Sequence, residues 1–440
     1  MGARMSGPHI LLANVFFAPF TYGGATVVAE EVARALIRGH GMRVTAVSVC
    51  RRADLVPYGL IRSEVAGITS YLINLPPQVS YAEIYNNPRV TEIVARLMDQ
   101  MKPDLLHAHC VQDMGAGFLQ AARARGLPVI LSVHDFWWLC ERQFMIRADQ
   151  RYCGQNPVDV AHCRGCAQEM SAARTRQGFL FEQAAQADII TYPSHFARDL
   201  SEASGLAPGR GVVWPNGVTL PGDGFSATQA ARRVSDPRIA FGFLGGPSQI
   251  KGWPLIRRTF TGFGRSDFRG YLVDGSLDGS WWRGHDLTGL DGDWQVYPRF
   301  DQAGMDAFYA RIDVLLFTSQ WKETYGLAIR EALARGIQVI QTDSGGTTEH
   351  AAVRPETLIP IGAGPEALRP QIVAALMRDP AQFPAHRVCG FGDQAAELAR
   401  MIGALTGQGA PASAPNFPVA PLRRRCSAPV PAGPGQAPRP

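Results

Sequence analysis

Asp313-Val314-Leu315-Leu316-Phe317-Thr318 is followed, after four residues, by Glu323-Thr324-Tyr325-Gly326-Leu327-Ala328-Ile329-Arg330-Glu331. The first run is short, apolar and β-branched enough to read as a buried strand. The second crosses from a loop into a helix expected over about residues 325–335, with Gly336 as its C-terminal stop. Glu323 then lies in the loop before the helix and Glu331 about two turns inside it. Between them sits a helix N-terminus, whose free N–H groups and positive dipole end suit a phosphate. One strand-to-helix segment can therefore hold a phosphate and offer two carboxylates to hydroxyl groups.

The same alternation extends in both directions. In the first half, strands are expected at His9–Phe17, Arg43–Val49, Ser70–Leu75, Asp104–His109, Pro128–Val133 and Asp188–Tyr192. In the second half they are expected at Arg238–Leu244, Arg269–Asp274, Trp294–Tyr297, Asp313–Thr318, Ile337–Thr342 and Thr357–Pro360. Helical patterns separate them, which implies parallel sheets covered on both faces. The fold class is thus α/β, with two Rossmann-like layers and ligand at the C-terminal strand ends in the cleft between them. The break falls near residues 205–220, after which a polar stretch precedes the second run of strands. The expected first domain is 1–210, with an insert over about 136–170, and the second is 211–390. A helix over 391–406 is expected to pack back on the first domain, and the Pro/Ala/Gly-rich stretch 407–440 to be disordered.

A chain of 440 residues is long enough for two such domains. Hydrophobic content of 46% and a mean hydropathy of −0.06 fit a soluble globular protein. No apolar run reaches the ~18 residues of a membrane span. The start of the chain lacks the apolar core of a signal peptide, so the expected location is cytoplasmic, with peripheral contact at the inner membrane face compatible. The formal charge of +5 misleads. Arg423, Arg424, Arg425 and Arg439 lie in the tail with no acid beside them, which leaves +1 for the rest. That argues against nucleic acid as a partner, and Arg423–Arg425 reads as a solvated run. Lysine occurs only at Lys102, Lys251 and Lys322, so a lysine on a phosphate-suited loop carries weight.

Lys251 is such a lysine. It ends Gly245-Gly246-Pro247-Ser248-Gln249-Ile250-Lys251, after the first strand of the second half. A cation there would neutralise a diphosphate leaving group as charge develops. Gly23-Gly24, after the first strand of the chain, allow close backbone approach to a ligand at a helix start. Asp104–His109 ends in His107 and His109, two residues apart and so on one face of the strand. His109 is the candidate for a cleft role, and His107 reads as structural. Gly345-Gly346 bring further N–H groups to a strand end, and Glu349 reads equally as a helix-start acid or a ligand contact.

Together these segments resemble the retaining nucleotide-sugar glycosyltransferases of the GT-B fold, of the glycosyltransferase family 4 (group 1) type. The resemblance runs over roughly residues 9–400 and is most specific at Gly245–Gly252, Glu323–Ala332 and Thr342–Gly346. It implies transfer of a sugar from a nucleotide diphosphate sugar to a hydroxyl of a glycan or lipid-linked acceptor, as in cell-envelope or exopolysaccharide synthesis. It implies catalytic roles for His109, Glu323 and Lys251. Gly23, Gly24 and His109 would face the donor sugar and acceptor, Lys251 and Gly245 the diphosphate, and Glu323 the transferred sugar. Glu331 would take the ribose hydroxyls, and N–H groups near Tyr325, Gly326 and Leu327 the phosphates. No cofactor is required, since cations and helix ends replace a metal. One departure is plain: the family places arginine where this chain has Gly246, and Arg299 is the candidate substitute. A nucleotide-sugar 2-epimerase and a non-catalytic sugar-binding protein share the same layout, and the Glu323…Glu331 arrangement favours transfer.

Four cysteines, Cys140, Cys153, Cys163 and Cys166, fall in the insert, which carries Gly, Pro, Asn and Asp and little periodicity. Four thiolates around a structural zinc would hold such a loop. Cys163 and Cys166 have ligand spacing, whereas Cys140 and Cys153 lie too far apart for a ribbon, so unligated thiols compete with zinc, and disulfides or redox use are disfavoured by a cytoplasmic location.

Overall fold

Every apolar run expected in the first half becomes a strand of one sheet. In the computed structural model, which describes residues 7–407, these are β1 (His9–Ala13), β2 (Arg43–Cys50), β4 (Ile68–Asn74), β5 (Leu105–Ala108), β6 (Val129–Ser132) and β7 (Ile189–Tyr192). Two more strands join them, β3 (Leu60–Val65) and β8 (Gly211–Val213). The order is β3-β4-β2-β1-β5-β6-β7-β8. All neighbours are parallel except β3 and β4, which form a hairpin through Ala66-Gly67. Both turn residues have positive φ, 51° and 78°, as a two-residue turn matched to strand twist requires. The tail expected to be disordered lies, from residue 408 onward, outside the described residues.

The second sheet contains β9 (Ile239–Phe243), β10 (Phe268–Val273), β11 (Asp293–Tyr297), β12 (Val314–Phe317) and β13 (Gln338–Gln341), all parallel, in the order β11-β10-β9-β12-β13. In both sheets the order reverses beside the first strand, between β1 and β5 and between β9 and β12. These switch points open the crevices in which doubly wound folds bind ligands. Separate apolar clusters cover the two faces of each sheet.

Three differences from the sequence reading have physical causes. β8, a strand that the sequence reading does not include, pairs with β7, so the first sheet runs to Val213. Thr357–Pro360 is not a strand: Pro355–Thr357 is a 3₁₀ turn, and only a single bridge joins Ile359 to Thr342. Pro355 and Pro360 each lack the N–H a ladder needs. The helix after β12 runs Leu327–Ala334, which puts Glu331 just over one turn inside it rather than two.

The helix Phe391–Thr406 crosses to the first domain. Its Ala395, Leu398, Ala399 and Ile402 share an apolar cluster with Val28, Val32 and Leu36 of the helix Gly24–His40. Gln394 braces the crossing, accepting from Trp214 Nε1 through its carbonyl (3.1 Å) and from Gly217 N through its side chain (2.6 Å). Across the cleft, the Glu349 carboxylate accepts the N–H groups of His195 and Phe196 at 2.8 and 2.6 Å, the first turn of the helix His195–Ala203. Glu349 is thus a helix-start acid, but on a helix of the other domain.

Candidate active site

Two helix starts face each other across the cleft. Gly24 and Ala25 open the helix Gly24–His40, Leu327 and Ala328 open the helix Leu327–Ala334, and all four line one cavity of about 300 Å³. Neither start receives a side-chain cap among the described residues, so N–H groups remain free to meet an anion from both sides. The approach is close: a Cβ at Gly24 would stand 3.0 Å from Leu327 Cδ1. A side chain at position 24 would press on Leu327, which would have to shift by a few tenths of an ångström.

Between the helix starts lies an ion pair. Lys251 Nζ sits 2.8 Å from Glu323 Oε1 and 5.4 Å from the centre of the Trp321 ring. Ser319 Oγ donates to the same carboxylate oxygen. Glu323 is held by its backbone as well: its N–H donates to Ser344 O and its carbonyl accepts from Gly346 N, both at 2.9 Å. These bonds tie the β12 loop to the loop after β13. Gly245, Tyr325 and Gly326 complete the second-domain wall.

Gly246 explains its own departure from the pattern of Gly-Arg loops. Its φ is +64°, and a Cβ there would stand 2.5 Å from Cε3 of Trp281. The indole of Trp281 occupies the space an arginine stem would need. Arg299, the candidate substitute, is exposed and lies outside the cavity lining.

The sequence profile of Glycosyltransferase Family 4 matches residues 22–220, and that of Glycosyl transferases group 1 matches residues 287–355. The chain belongs to the group 1, family 4 type of GT-B glycosyltransferases. Solved structures show the same fold at low identity. Sucrose-phosphate synthase from Thermosynechococcus elongatus is 16% identical over 91% of this chain and 97% of its own, with a TM-score of 0.60. An α,α-trehalose-phosphate synthase (UDP-forming) from Burkholderia xenovorans, in complex with glucose-6-phosphate, is 12% identical over 90% and 100%, also at 0.60. HepE from Anabaena, in complex with UDP-glucose, is 14% identical over 91% and 98%, at 0.57. The chain matches no curated protein by sequence at a significant level.

Of the glycosyltransferase residues read from the sequence, Gly24, Gly245, Lys251, Glu323, Tyr325, Gly326 and Leu327 come together on this cavity. Gly23, His109, Arg299 and Glu331 do not line it. Gly23 is the residue just before the first helix, with φ +82°. Glu331 is 9% exposed and accepts a hydrogen bond of 2.8 Å from the buried Tyr309 hydroxyl. Burial pushes its carboxyl above the ordinary glutamate range, against the pull of Tyr309 and Arg335. A raised acid pKa means that the charged form costs stability, absent below the ordinary pKa and fully present above the raised one. Glu331→Gln keeps an acceptor for Tyr309 and removes the charge. It is expected to raise Tm by about 2–4 °C at pH 7–8, an effect of ~1 kcal/mol that fades toward pH 4. Thermal melts across that range check it.

His109 is 1% exposed and one ring behind the cavity wall. Its Nδ1 is 2.9 Å from His134 Nε2, and it is His134 that lines the cavity. His107 packs against His109 with ring centres 4.0 Å apart, and its Nε2 meets Ser132 Oγ at 2.8 Å. Desolvation lowers all three: His107 to about 3, His134 to about 4 and His109 well below the usual imidazole value. The sequence reading missed His134, Asn216, Thr318, Ser319 and Thr324, all of which line the cavity. His134 follows β6 as His109 follows β5, so the strand-end rule that selected one would have found the other.

The four insert cysteines border one cavity. Cys140, Cys153, Cys163 and Cys166 line a second cavity of about 270 Å³, with His162 at its edge. All four are free thiols. Burial raises Cys140 to about 11, while the N–H groups of Arg142 and Met145 point at its sulfur and pull the other way. Among the described residues, no three Cys, His, Asp or Glu side chains are grouped closely enough to hold an ion as they stand. Nor is any helix among them long and apolar enough to cross a membrane.

Proposed function

We propose that this glycosyltransferase moves a sugar from a nucleotide diphosphate sugar to a hydroxyl acceptor, with retention of configuration. The observation that carries the reading is the Lys251–Glu323 pair, 2.8 Å long, set between two uncapped helix starts from opposite domains. An incoming diphosphate meets N–H groups of both helices and takes Lys251 from Glu323. Glu323, still held by Ser319, then turns its freed oxygen to the transferred sugar. Negative charge that develops on the leaving phosphate falls where donors are already fixed, which is how preorganised sites lower barriers. Glu331 is proposed to meet the ribose, on release of Tyr309. The leaving phosphate is proposed to accept the acceptor's proton. Donor and acceptor are held in one cleft, which removes most of the entropy cost of their encounter.

The two solved relatives bound to UDP-glucose and to glucose-6-phosphate support a nucleotide-sugar donor and a sugar acceptor. A glycan or lipid-linked acceptor, a role in envelope or exopolysaccharide synthesis, and a cytoplasmic place at the inner membrane face rest on the family resemblance. Nucleotide release from UDP-, GDP- and ADP-sugars, with and without acceptor, tests the reading. Acceptor-dependent release with a product of unchanged anomeric configuration supports it. Release of an epimerised sugar without acceptor favours the 2-epimerase, and donor binding without release favours a non-catalytic protein.

A structural zinc in the cysteine cavity is a separate proposal, supported by the place of all four cysteines on the wall of one cavity and by the N–H groups aimed at Cys140. Binding would draw the loop inward, since the sulfurs are not yet grouped around an ion. The expected result is about one zinc per chain by elemental analysis, lost in Cys163→Ser. Metal-free protein with unchanged stability in chelator removes the proposal.

A further inference from the structure

We infer that Phe144 of the cysteine insert is a positioning residue for Lys251, acting through the indole of Trp321. The donor half rests on the sugar-transfer reading above; the geometric half does not.

Lys251 has two holds. Its ammonium pairs with Glu323 at 2.8 Å and lies over the Trp321 ring, 5.4 Å from its centre. A diphosphate that takes the cation from Glu323 removes the first hold and leaves the second. The face of an indole attracts a cation without neutralising it, so Lys251 keeps its charge for the phosphates while its direction is set. That attraction depends on the tilt of the ring, because the negative potential lies over the face and not at the edge. Whatever fixes the indole thus fixes the ammonium in the donor-bound state.

Trp321 is fixed from the other domain. It follows β12 in sequence, yet it is buried in the apolar cluster on one face of the first sheet. Its Nε1 is buried and has no hydrogen-bond partner among the described residues. No polar contact there sets the angle of the ring, so packing sets it. The one aromatic ring against it among the described residues is Phe144, with centres 5.1 Å apart and planes at 64°, an edge-on contact. Phe144 stands on a braced turn of the insert. Gln143, at φ +65°, donates its N–H to Cys140 O (2.9 Å) and its side-chain amide to Asp135 Oδ2 (2.6 Å). Arg142 Nε closes the same turn on Ile146 O at 2.7 Å. The insert thereby reaches the cation of the site through two successive contacts, Phe144 on Trp321 and Trp321 on Lys251.

Phe144 is 36% exposed, so its replacement leaves the core intact. The chain holds three lysines, Lys102, Lys251 and Lys322. The full chain labelled with ¹³C-lysine therefore gives a simple side-chain spectrum, with Lys251 assigned by its loss in Lys251→Ala. The ring current of Trp321 is expected to place the Lys251 Hε signal upfield of that of exposed Lys102. In Phe144→Ala it moves back toward Lys102, and in Phe144→Tyr it stays. A Lys251 signal with no upfield shift, or one indifferent to Phe144→Ala, overturns the geometric half. Calorimetry with UDP, GDP and ADP tests the donor half. Phe144→Ala is expected to weaken binding of the nucleotide diphosphate by about 5–10-fold, and Phe144→Tyr by less than about 2-fold. In a Lys251→Ala background, Phe144→Ala is expected to add no further loss. Unchanged affinity in Phe144→Ala, or losses that add in the double variant, overturn the donor half, since a merely structural role acts with or without the lysine. Wild-type protein that binds none of the three nucleotides overturns the sugar-transfer reading and leaves the lysine spectrum standing.

Discussion

Lys251→Ala is expected to lower kcat/KM for the nucleotide-sugar donor by about 10²–10³-fold, with a matching fall in nucleotide diphosphate affinity. Among the residues lining the cavity, Lys251 is the only lysine or arginine. Its family partner cannot be present, because Trp281 fills the space beside Gly246 and the backbone there is left-handed. Arg299 is exposed and does not line the cavity. What remains after the substitution is two helix starts, each worth about 0.3–1 kcal/mol toward an anion in exposed settings and up to ~2 in partly buried ones. They position a diphosphate but carry only partial charges, so the loss should be larger than where a second arginine shares the task. The substitution also strands Glu323, 9% exposed and left with Ser319 as its side-chain donor, so two negative groups would then face each other. Steady-state kinetics and calorimetry with the nucleotide diphosphate read both effects. Unchanged affinity and turnover would remove Lys251 from the site.

The parts of this molecule that local pattern controls were legible in the sequence. Eleven of the thirteen strands announce themselves as apolar runs because parallel sheets bury both faces, and β12 with its following helix is the clearest case. β3 was not legible: Leu60-Ile61-Arg62-Ser63-Glu64-Val65 alternates in exposure at the sheet edge, and its polar residues conceal a strand that only pairing with β4 creates. β8 is three residues long and half-exposed, below what periodicity can register. The site divides in the same way. Gly24, Lys251 and Glu323 sit on strand-to-helix loops and could be read from those loops. Trp281 against Gly246, His134 against His109 and Glu349 on the helix His195–Ala203 are contacts between segments 25 to 154 positions apart. No pattern along the chain encodes them. His109 shows the consequence: its strand-end position was right, but a neighbouring strand end stands between it and the cavity.

Arg330→Met is expected to destabilise the protein by about 3–5 kcal/mol, the largest stability effect of any single change near the site. Arg330 is 3% exposed and, among the described residues, has no carboxylate partner in hydrogen-bond contact. Its guanidinium instead donates to four backbone carbonyls: Tyr325, Thr347 (2.9 Å), Gly346 (3.0 Å) and Glu349 (3.0 Å). It also lies over the Tyr325 ring at 4.1 Å. Burial lowers its pKa, against the pull of Tyr325 and Glu349, which marks desolvation that the carbonyl acceptors also offset. Methionine fills the volume but leaves four carbonyls without their donor, each costing about 1–3 kcal/mol if water does not enter. Lysine fails as well, since one ammonium cannot reproduce a planar fork aimed at two loops. The change should also reach function before global unfolding. Arg330 joins the segment Glu323–Gly326, which forms the helix start at the cavity, to the loop 345–349, whose Glu349 holds the other domain. Loosening that joint releases both the cavity-facing N–H groups and the contact of Glu349 with the other domain. Urea melts should show a lower midpoint, and calorimetry well below the transition should show nucleotide affinity reduced by at least about 10-fold in protein that is still folded. A variant that melts early but binds normally would confine Arg330 to stability and separate the two loops from the site.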